Sequence, residues 1–401
     1  MALEFTKFFP AAVLLIAIIA SLASAQYNLP SVPALFILGD GTVDAGTNTY
    51  VNSTYQASVS PYGETFFGHA AGRFTNGRTL ADFLAQSLGL PLVPPFVQPL
   101  GDHRHGANFA SAGSGRLDST GASRGVVSFK KQLQQLSSVM AVFKWRGKSN
   151  AETMLSESVF VISTGADDIA NYIAQPSMKI PEQQFVQSLI ATYKSGIEVN
   201  VKFLEVSFLK PFGALQTLYN HGARKIVVVE LGPVGCFPQS KLAASRSSQG
   251  FRRFDCLEAA NTLAKDVNTG LDDLAKTLSS QLTGIQLIVL KPYDLLMSTI
   301  RVPRASGFVN SVDACCGAGP FNAAESCADS YTQRTSEYQP FLCPNPATYM
   351  FFDAAHFSEA AYLMMFKNFW HGDQSIATPF NLKDLFAGNA VPFPPLPPRF
   401  T

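Results

Sequence analysis

Apolar and polar positions alternate in blocks along this chain rather than residue by residue. Ala34–Leu38, Val159–Ser163, Lys225–Glu230 and Ile285–Leu290 are short runs of branched and apolar residues, and they read as buried strands. Between and after them, Thr79–Leu88, Ser128–Phe143, Glu182–Tyr193, Asp255–Gln281 and Ser358–Trp370 read as helices, several opening on Ser or Asp. Strand-helix alternation of this kind predicts a parallel sheet covered by helices on both faces. In such sheets function gathers at the carboxyl ends of the strands. Gly39–Gly41 follows the first run and Gly165–Asp168 the second, so two separate segments converge on one rim.

Composition narrows the partners. The 401 residues carry a net charge of +1, which gives no electrostatic reason to expect nucleic acid or an acidic membrane. Residues 1–25 read as a secretory signal: Glu4 and Lys7 lie in a polar start, Ala11–Ala23 is apolar, and Ala23-Ser24-Ala25 has the form of a cleavage site before Gln26. That apolar stretch is shorter than the roughly 20 residues a membrane span needs, so no stable membrane insertion of the mature chain is expected. A domain over 26–385 and a Pro-rich tail over 386–401 follow. Residues 196–213, apolar but carrying Pro211, interrupt what would otherwise be a continuous helix and read as an insertion.

An even cysteine count in an exported chain favours disulfides over a zinc site. Cys236 and Cys256 bracket one loop and suggest a local pair, while Cys315, Cys316, Cys327 and Cys343 cluster further on. Neighbouring Cys315 and Cys316 should reach different partners, and the remaining connectivity stays open. Asn52-Ser53-Thr54 is a glycosylation sequon, which makes Asn52 a candidate glycan site on a surface loop. His103-Arg104-His105 reads as a solvated loop, and no metal site is expected.

The candidate chemistry lies in ordered blocks. Gly39-Asp40-Gly41-Thr42 ends the first strand; Gly72–Thr79, Gly106–Gly115, Phe160–Asp168, Gly222–Lys225, Gly232–Cys236, Cys315-Cys316-Gly317 and Phe352–His356 follow in sequence. Together they resemble the plant-type GDSL (SGNH) esterase/lipase family from Pro33 to about Trp370. The resemblance implies an α/β fold, a three-layer α/β/α sandwich with a central parallel sheet (SGNH-hydrolase, flavodoxin-like). It also implies hydrolysis of carboxylic esters of lipids, acetylated polysaccharides or small acyl compounds, without cofactor. In that family a serine attacks the ester, a histidine activates it and a carboxylate orients the histidine. The matching positions here are Gly41, His356 and Asp353. The D-x-x-H spacing of Asp353 and His356 would place both on one side of a helical turn. The oxyanion hole carries over to Gly41, Gly113 and Asp167.

Two of these positions depart from the pattern. Gly41 stands where the family has serine and Asp167 where it has asparagine, and an ionised carboxylate accepts hydrogen bonds rather than donating them. Phe357 also stands where a proline usually follows the histidine. Little or no hydrolysis is therefore expected. Two alternatives remain open: a secreted non-catalytic protein that binds acyl or glycan ligands in the residual groove, and an active esterase whose Gly41 or 196–213 segment reflects a gene-reading fault.

Overall fold

A computed structural model of the chain describes residues 32–146, 148–175, 180–194, 213–247, 250–332 and 339–386. The expected leader over 1–25 lies outside the described residues, as do the 196–213 segment apart from Gly213 and the 386–401 tail apart from Phe386.

The apolar runs form β1 (Leu35–Gly39), β3 (Val159–Ser163), β4 (Lys225–Val229) and β5 (Gln286–Leu290). They are almost wholly buried, as strands covered on both faces must be. Two short strands that the apolar pattern does not announce complete the sheet: β2 (Gly106–Asn108) and β10 (Ala377–Thr378). The order is β10-β5-β4-β3-β1-β2. β1 to β5 are mutually parallel, whereas β10 runs antiparallel to β5, so the sheet is mostly rather than wholly parallel. Helices flank it, giving the expected α/β fold. Phe36 of β1 stacks on Phe160 of β3 and meets Phe143 of helix Phe129–Arg146 edge-on, while Phe83 of helix Leu80–Ser87 stacks on Phe366 of helix Glu359–His371. On the outer side of β2, Pro94 and Phe96 exchange backbone hydrogen bonds with Asn108.

Register brings the functional ends together. Gly39 pairs with Ser163, and a Cβ at Gly39 would stand 2.0 Å from the Ser163 carbonyl oxygen, with φ at +150°. Only glycine permits this approach of β1 to β3 at the sheet's carboxyl rim.

Four short strands build an outlying platform: β6 (Asn310–Ala314) pairs with β9 (Tyr349–Phe351), and β7 (Cys316–Ala318) with β8 (Pro340–Leu342). All six cysteines are joined, Cys236 to Cys256, Cys315 to Cys343 and Cys316 to Cys327. The adjacent pair does diverge, and no thiol is left for zinc.

Candidate active site

The turn after β1 is held from several sides. Gln132 clamps Gly39, accepting from its N–H at 2.8 Å and donating to its carbonyl at 3.0 Å. The Asp40 carboxylate accepts from the Thr42 N–H at 3.0 Å, and Asn108 donates to the Val43 carbonyl at 2.7 Å. Asp44 joins this turn to the loop after β2: its carboxylate accepts from Gly46, Thr47 and Ala112 N–H groups at 2.7–2.9 Å. Burial nevertheless pushes Asp44 up to about 6. Gly113, next to Ala112, adopts φ +80° and packs against the Tyr55 ring. The N–H groups of Gly41 and Gly113 have no hydrogen-bond partner among the described residues.

Asp353 and His356 lie in a tight loop between β9 and helix Glu359–His371, not on a helical turn as their spacing suggested. The reason is local. Asp353 Oδ1 accepts from the Ala355 and His356 N–H groups at 2.9 and 2.8 Å, and the Phe352 N–H returns to the His356 carbonyl, which closes a turn in place of a helix. The helix starts only after Ser358, whose side chain caps it by accepting from the Ala361 N–H. Within this loop His356 Nδ1 meets Asp353 Oδ1 at 2.8 Å and Oδ2 at 3.0 Å, and the Tyr62 hydroxyl donates to Oδ2 at 2.8 Å. The Cys315 and Cys316 N–H groups donate to the Phe351 and Phe352 carbonyls, so the two disulfide-bonded cysteines brace the loop.

The Gly72–Thr79 block fastens this loop from behind. Arg78 forms a buried ion pair with Glu359 at 2.6 Å, Asn76 accepts from the Glu359 N–H at 2.9 Å, and Phe74 packs 4.8 Å from the His356 ring. Arg73 pairs with Asp82 at the start of helix Leu80–Ser87.

His356 reaches towards Gly41. A Cβ on Gly41 would stand 2.2 Å from His356 Nε2, 2.6 Å from its Cδ2 and 3.3 Å from the Ala112 Cβ. The imidazole thus occupies the space beside Gly41 into which a side chain would project. No hydroxyl bonds to Nε2 among the described residues, and the Thr42 N–H is turned to Asp40.

Three carboxylates, Asp40, Asp167 and Asp353, act on His356. Burial opposes the imidazolium, but Asp353, Asp167 and Asp40 outweigh it and raise the His356 pKa above its ordinary value. Burial likewise opposes ionisation of Asp353, yet the His356 charge and the hydrogen bonds from His356, Ala355 and Tyr62 hold its pKa below the usual carboxylate value. Asp167, in the first turn of helix Ala166–Ala174, is pushed up to about 7 by burial and then by Asp40. A proton is therefore present on a substantial fraction of Asp167 at neutral pH, which tempers the repulsion expected of an ionised group. Its neighbour Asp168 accepts from the Arg116 and Leu117 N–H groups and the Thr120 hydroxyl, locking this helix to the loop after β2.

Gly41, Asp167 and His356 open on one cavity of about 410 Å³. Away from them its walls are mainly apolar, with Ile173, Leu257, Leu296, Met365 and Phe369 prominent. Of the sequence-derived site residues, Gly41, Asp167 and His356 line this cavity; Asp353 stands behind it, bonded to His356, and Gly113 packs against Tyr55 outside the lining. Asn52 stands exposed in a loop, as a glycan acceptor must. His105 contacts the Pro33 carbonyl at 3.3 Å and is not among the residues lining the cavity. Sequence reasoning missed Tyr62, Phe74 and the Arg78–Glu359 pair as supports of the histidine. Only the Gly72–Thr79 block carried any signal of them.

Comparison with known proteins agrees with this arrangement. Residues 35–369 match the family described as GDSL-like Lipase/Acylhydrolase. The chain is 31% identical to GDSL esterase/lipase 5 of Arabidopsis thaliana over 366 residues, 89% of this chain and 88% of the relative. It is 32% identical to GDSL esterase/lipase 6 of the same plant, over 90% of this chain and 92% of that one. A GDSL lipase of Tanacetum cinerariifolium is 30% identical over 94% of both chains. With its blocks in order, its sheet rim assembled and the match running through nearly all of the described fold, this chain belongs to the GDSL-like lipase/acylhydrolase family.

Proposed function

We propose that this chain keeps the family's acyl-ester cleft as a binding site and does not cleave esters through a covalent intermediate. One observation carries the reading: His356 Nε2 lies 2.2 Å from where a Gly41 side chain would begin, so the imidazole faces bare backbone and has no hydroxyl to activate. Asp353 and Tyr62 fix the ring in that position, and the Gly41 and Gly113 N–H groups remain free to hold an ester carbonyl. The apolar cavity of about 410 Å³ offers room for an acyl chain. Asp167 supplies a carboxyl where the family has an amide donor. In its ionised form it opposes an oxyanion, and loss of one such donor typically raises a barrier by about 2.7–4 kcal/mol. The protein acts outside the cell on this reading, in keeping with its three disulfides, and takes lipid, polysaccharide or small-molecule acyl esters.

The test pairs turnover with binding. Wild-type protein should hydrolyse a short-chain nitrophenyl ester negligibly, with no change on His356→Ala, yet gain thermal stability with long-chain acyl esters. Saturation at about 100 times Kd adds roughly 2.7 kcal/mol. Turnover abolished by His356→Ala, or a fluorophosphonate adduct mapped to this cleft, overturns the proposal.

A further inference from the structure

The helix that follows β3 puts two adjacent carboxyl groups to different uses. Asp167 and Asp168 both stand in the first turn of helix Ala166–Ala174, where the unpaired N–H groups of a helix start favour negative charge. Asp168 is buried and fully engaged: it accepts from the Arg116 and Leu117 N–H groups at 2.6 and 3.2 Å and from the Thr120 hydroxyl at 2.6 Å. Asp167 instead lines the acyl cavity, half-buried, and accepts no hydrogen bond among the described residues. Ala170, Ile173 and Ala174 continue the same wall at helical spacing, so this carboxyl group heads an apolar stripe that a ligand can reach.

A free donor lies next door. Gly39 pairs with Ser163, and the Asp40 N–H donates to the Ser163 carbonyl at 2.9 Å, so the turn bearing Gly41 and the helix bearing Asp167 leave adjacent strand ends. Gly41 also lines the cavity, and its N–H is unpaired among the described residues. Asp40 lines it too, but its Oδ1 is taken by the Thr42 N–H. An acyl head entering here therefore meets one open donor, at Gly41, and one open acceptor, at Asp167. A carboxyl group keeps an acceptor oxygen in either protonation state. An ester can use only the donor: its second oxygen carries lone pairs and no proton, and set against a carboxylate those lone pairs repel. An acyl amide has both a carbonyl oxygen and, on its nitrogen, a proton to give. Asparagine at this position would offer an N–H to an ester carbonyl as well; ionised aspartate cannot.

We propose that Asp167 tunes this cavity to acyl amides, accepting a hydrogen bond from the amide N–H while the Gly41 N–H holds the carbonyl, and so discriminates against the corresponding esters. This rests on the acyl-binding reading above and narrows its ligand class. The stripe of Ala170, Ile173 and Ala174 takes the acyl chain. The amide stays intact, because His356 faces bare backbone at Gly41.

The experiment titrates the full mature protein, its disulfides intact, by calorimetry at pH 8, where Asp167, raised to about 7, is mostly ionised. Four decanoyl compounds form a ladder: decanamide has two N–H bonds, N-methyldecanamide one, and N,N-dimethyldecanamide and methyl decanoate none. The dimethyl compound separates the effect of the N–H from that of the stronger carbonyl acceptor that all amides share. At least one of the N–H-bearing amides should bind roughly three- to tenfold more tightly than both compounds without an N–H. Asp167→Leu should level the ladder, and Asp167→Asn, which both accepts and donates, should narrow it by improving ester binding. Equal affinity across the four compounds, or a tighter ester, overturns the inference in the wild type with no variant needed. A preference that persists in Asp167→Leu overturns it too, since the acceptor then lies elsewhere. Binding of none of the four instead overturns the acyl reading beneath it, and this inference with it.

Discussion

Gly41→Ser is the most direct perturbation of this site. The new Cβ would stand 2.2 Å from His356 Nε2 and 2.6 Å from Cδ2, so the ring must retreat by about 1 Å to reach ordinary contact. It has little room to do so. Nδ1 is tied to both Asp353 oxygens at 2.8 and 3.0 Å, Phe74 packs 4.8 Å away, and the loop behind is pinned by the Cys315 and Cys316 hydrogen bonds. Overpacking of this kind typically costs about 1–3 kcal/mol. The variant should therefore lose roughly that much stability in urea unfolding at pH 7. Nitrophenyl ester turnover should stay poor, because Asp167 still faces the carbonyl site, and should rise only when Asp167→Asn is added. Gly41→Ser that matches the wild type in stability and hydrolyses as fast alone as with Asp167→Asn would refute the reasoning on both counts.

Stability should fall as pH rises. Asp44, Asp167 and Glu230 are raised to about 6, 7 and 8, and His356 is raised as well, so over this range these groups bind more protons in the folded chain than in the unfolded one. Their contribution is complete below the ordinary carboxylate value of about 4 and is lost as pH climbs through the folded values. Raising Asp44 from 3.8 to about 6 corresponds to about 3 kcal/mol; urea midpoints at pH 5 and pH 8 measure the trend, and Asp167→Asn should flatten part of it. Asp353 has the opposite sign, its pKa being lowered, and its support is lost on acidification. Arg78→Ala strands the buried Glu359 carboxylate and should cost about 3–5 kcal/mol by the same unfolding assay. Removing the Cys316–Cys327 bridge by paired alanines should cost about 3 kcal/mol from its 11-residue separation, with weaker ligand binding because the His356 loop loosens. Expressed through a secretory route, the protein should lose mass on enzymatic deglycosylation, and Asn52→Gln should not.

Much of the sheet was legible in the chain because β1, β3, β4 and β5 are buried on both faces, which forces continuous apolar runs. β3 kept its expected bounds, while edges of β1, β4 and β5 moved by one residue: Gly39 joins β1 because it pairs with Ser163, not because it is apolar. β2 was invisible because Gly106, Ala107 and Asn108 are selected by close packing and by the Val43 hydrogen bond rather than by periodicity. Helix Ala166–Ala174 was hidden for a similar reason, since its opening residues read as the end of a site block that supplies Asp167. Asp353 and His356 were picked out by the resemblance of the ordered blocks, and the helical turn offered to explain their spacing was wrong, as a side-chain turn sets it. Tyr62 lies 291 residues from Asp353, and Glu230 is separated from Lys291 and Asp272 by long stretches of chain. Only the tertiary fold brings such groups together.

The brevity of the outermost strands has a consequence for how copies of this protein meet. β10 offers only two residues and β2 three, and on the far side of β2 the Pro94–Phe96 segment already takes the Asn108 groups. Pro379, just past β10, has no N–H to offer a newcomer. Among the described residues neither rim of this sheet offers an edge long enough to template an added strand, which guards the main sheet against growth by edge pairing even though its interior is rich in strand-forming sequence.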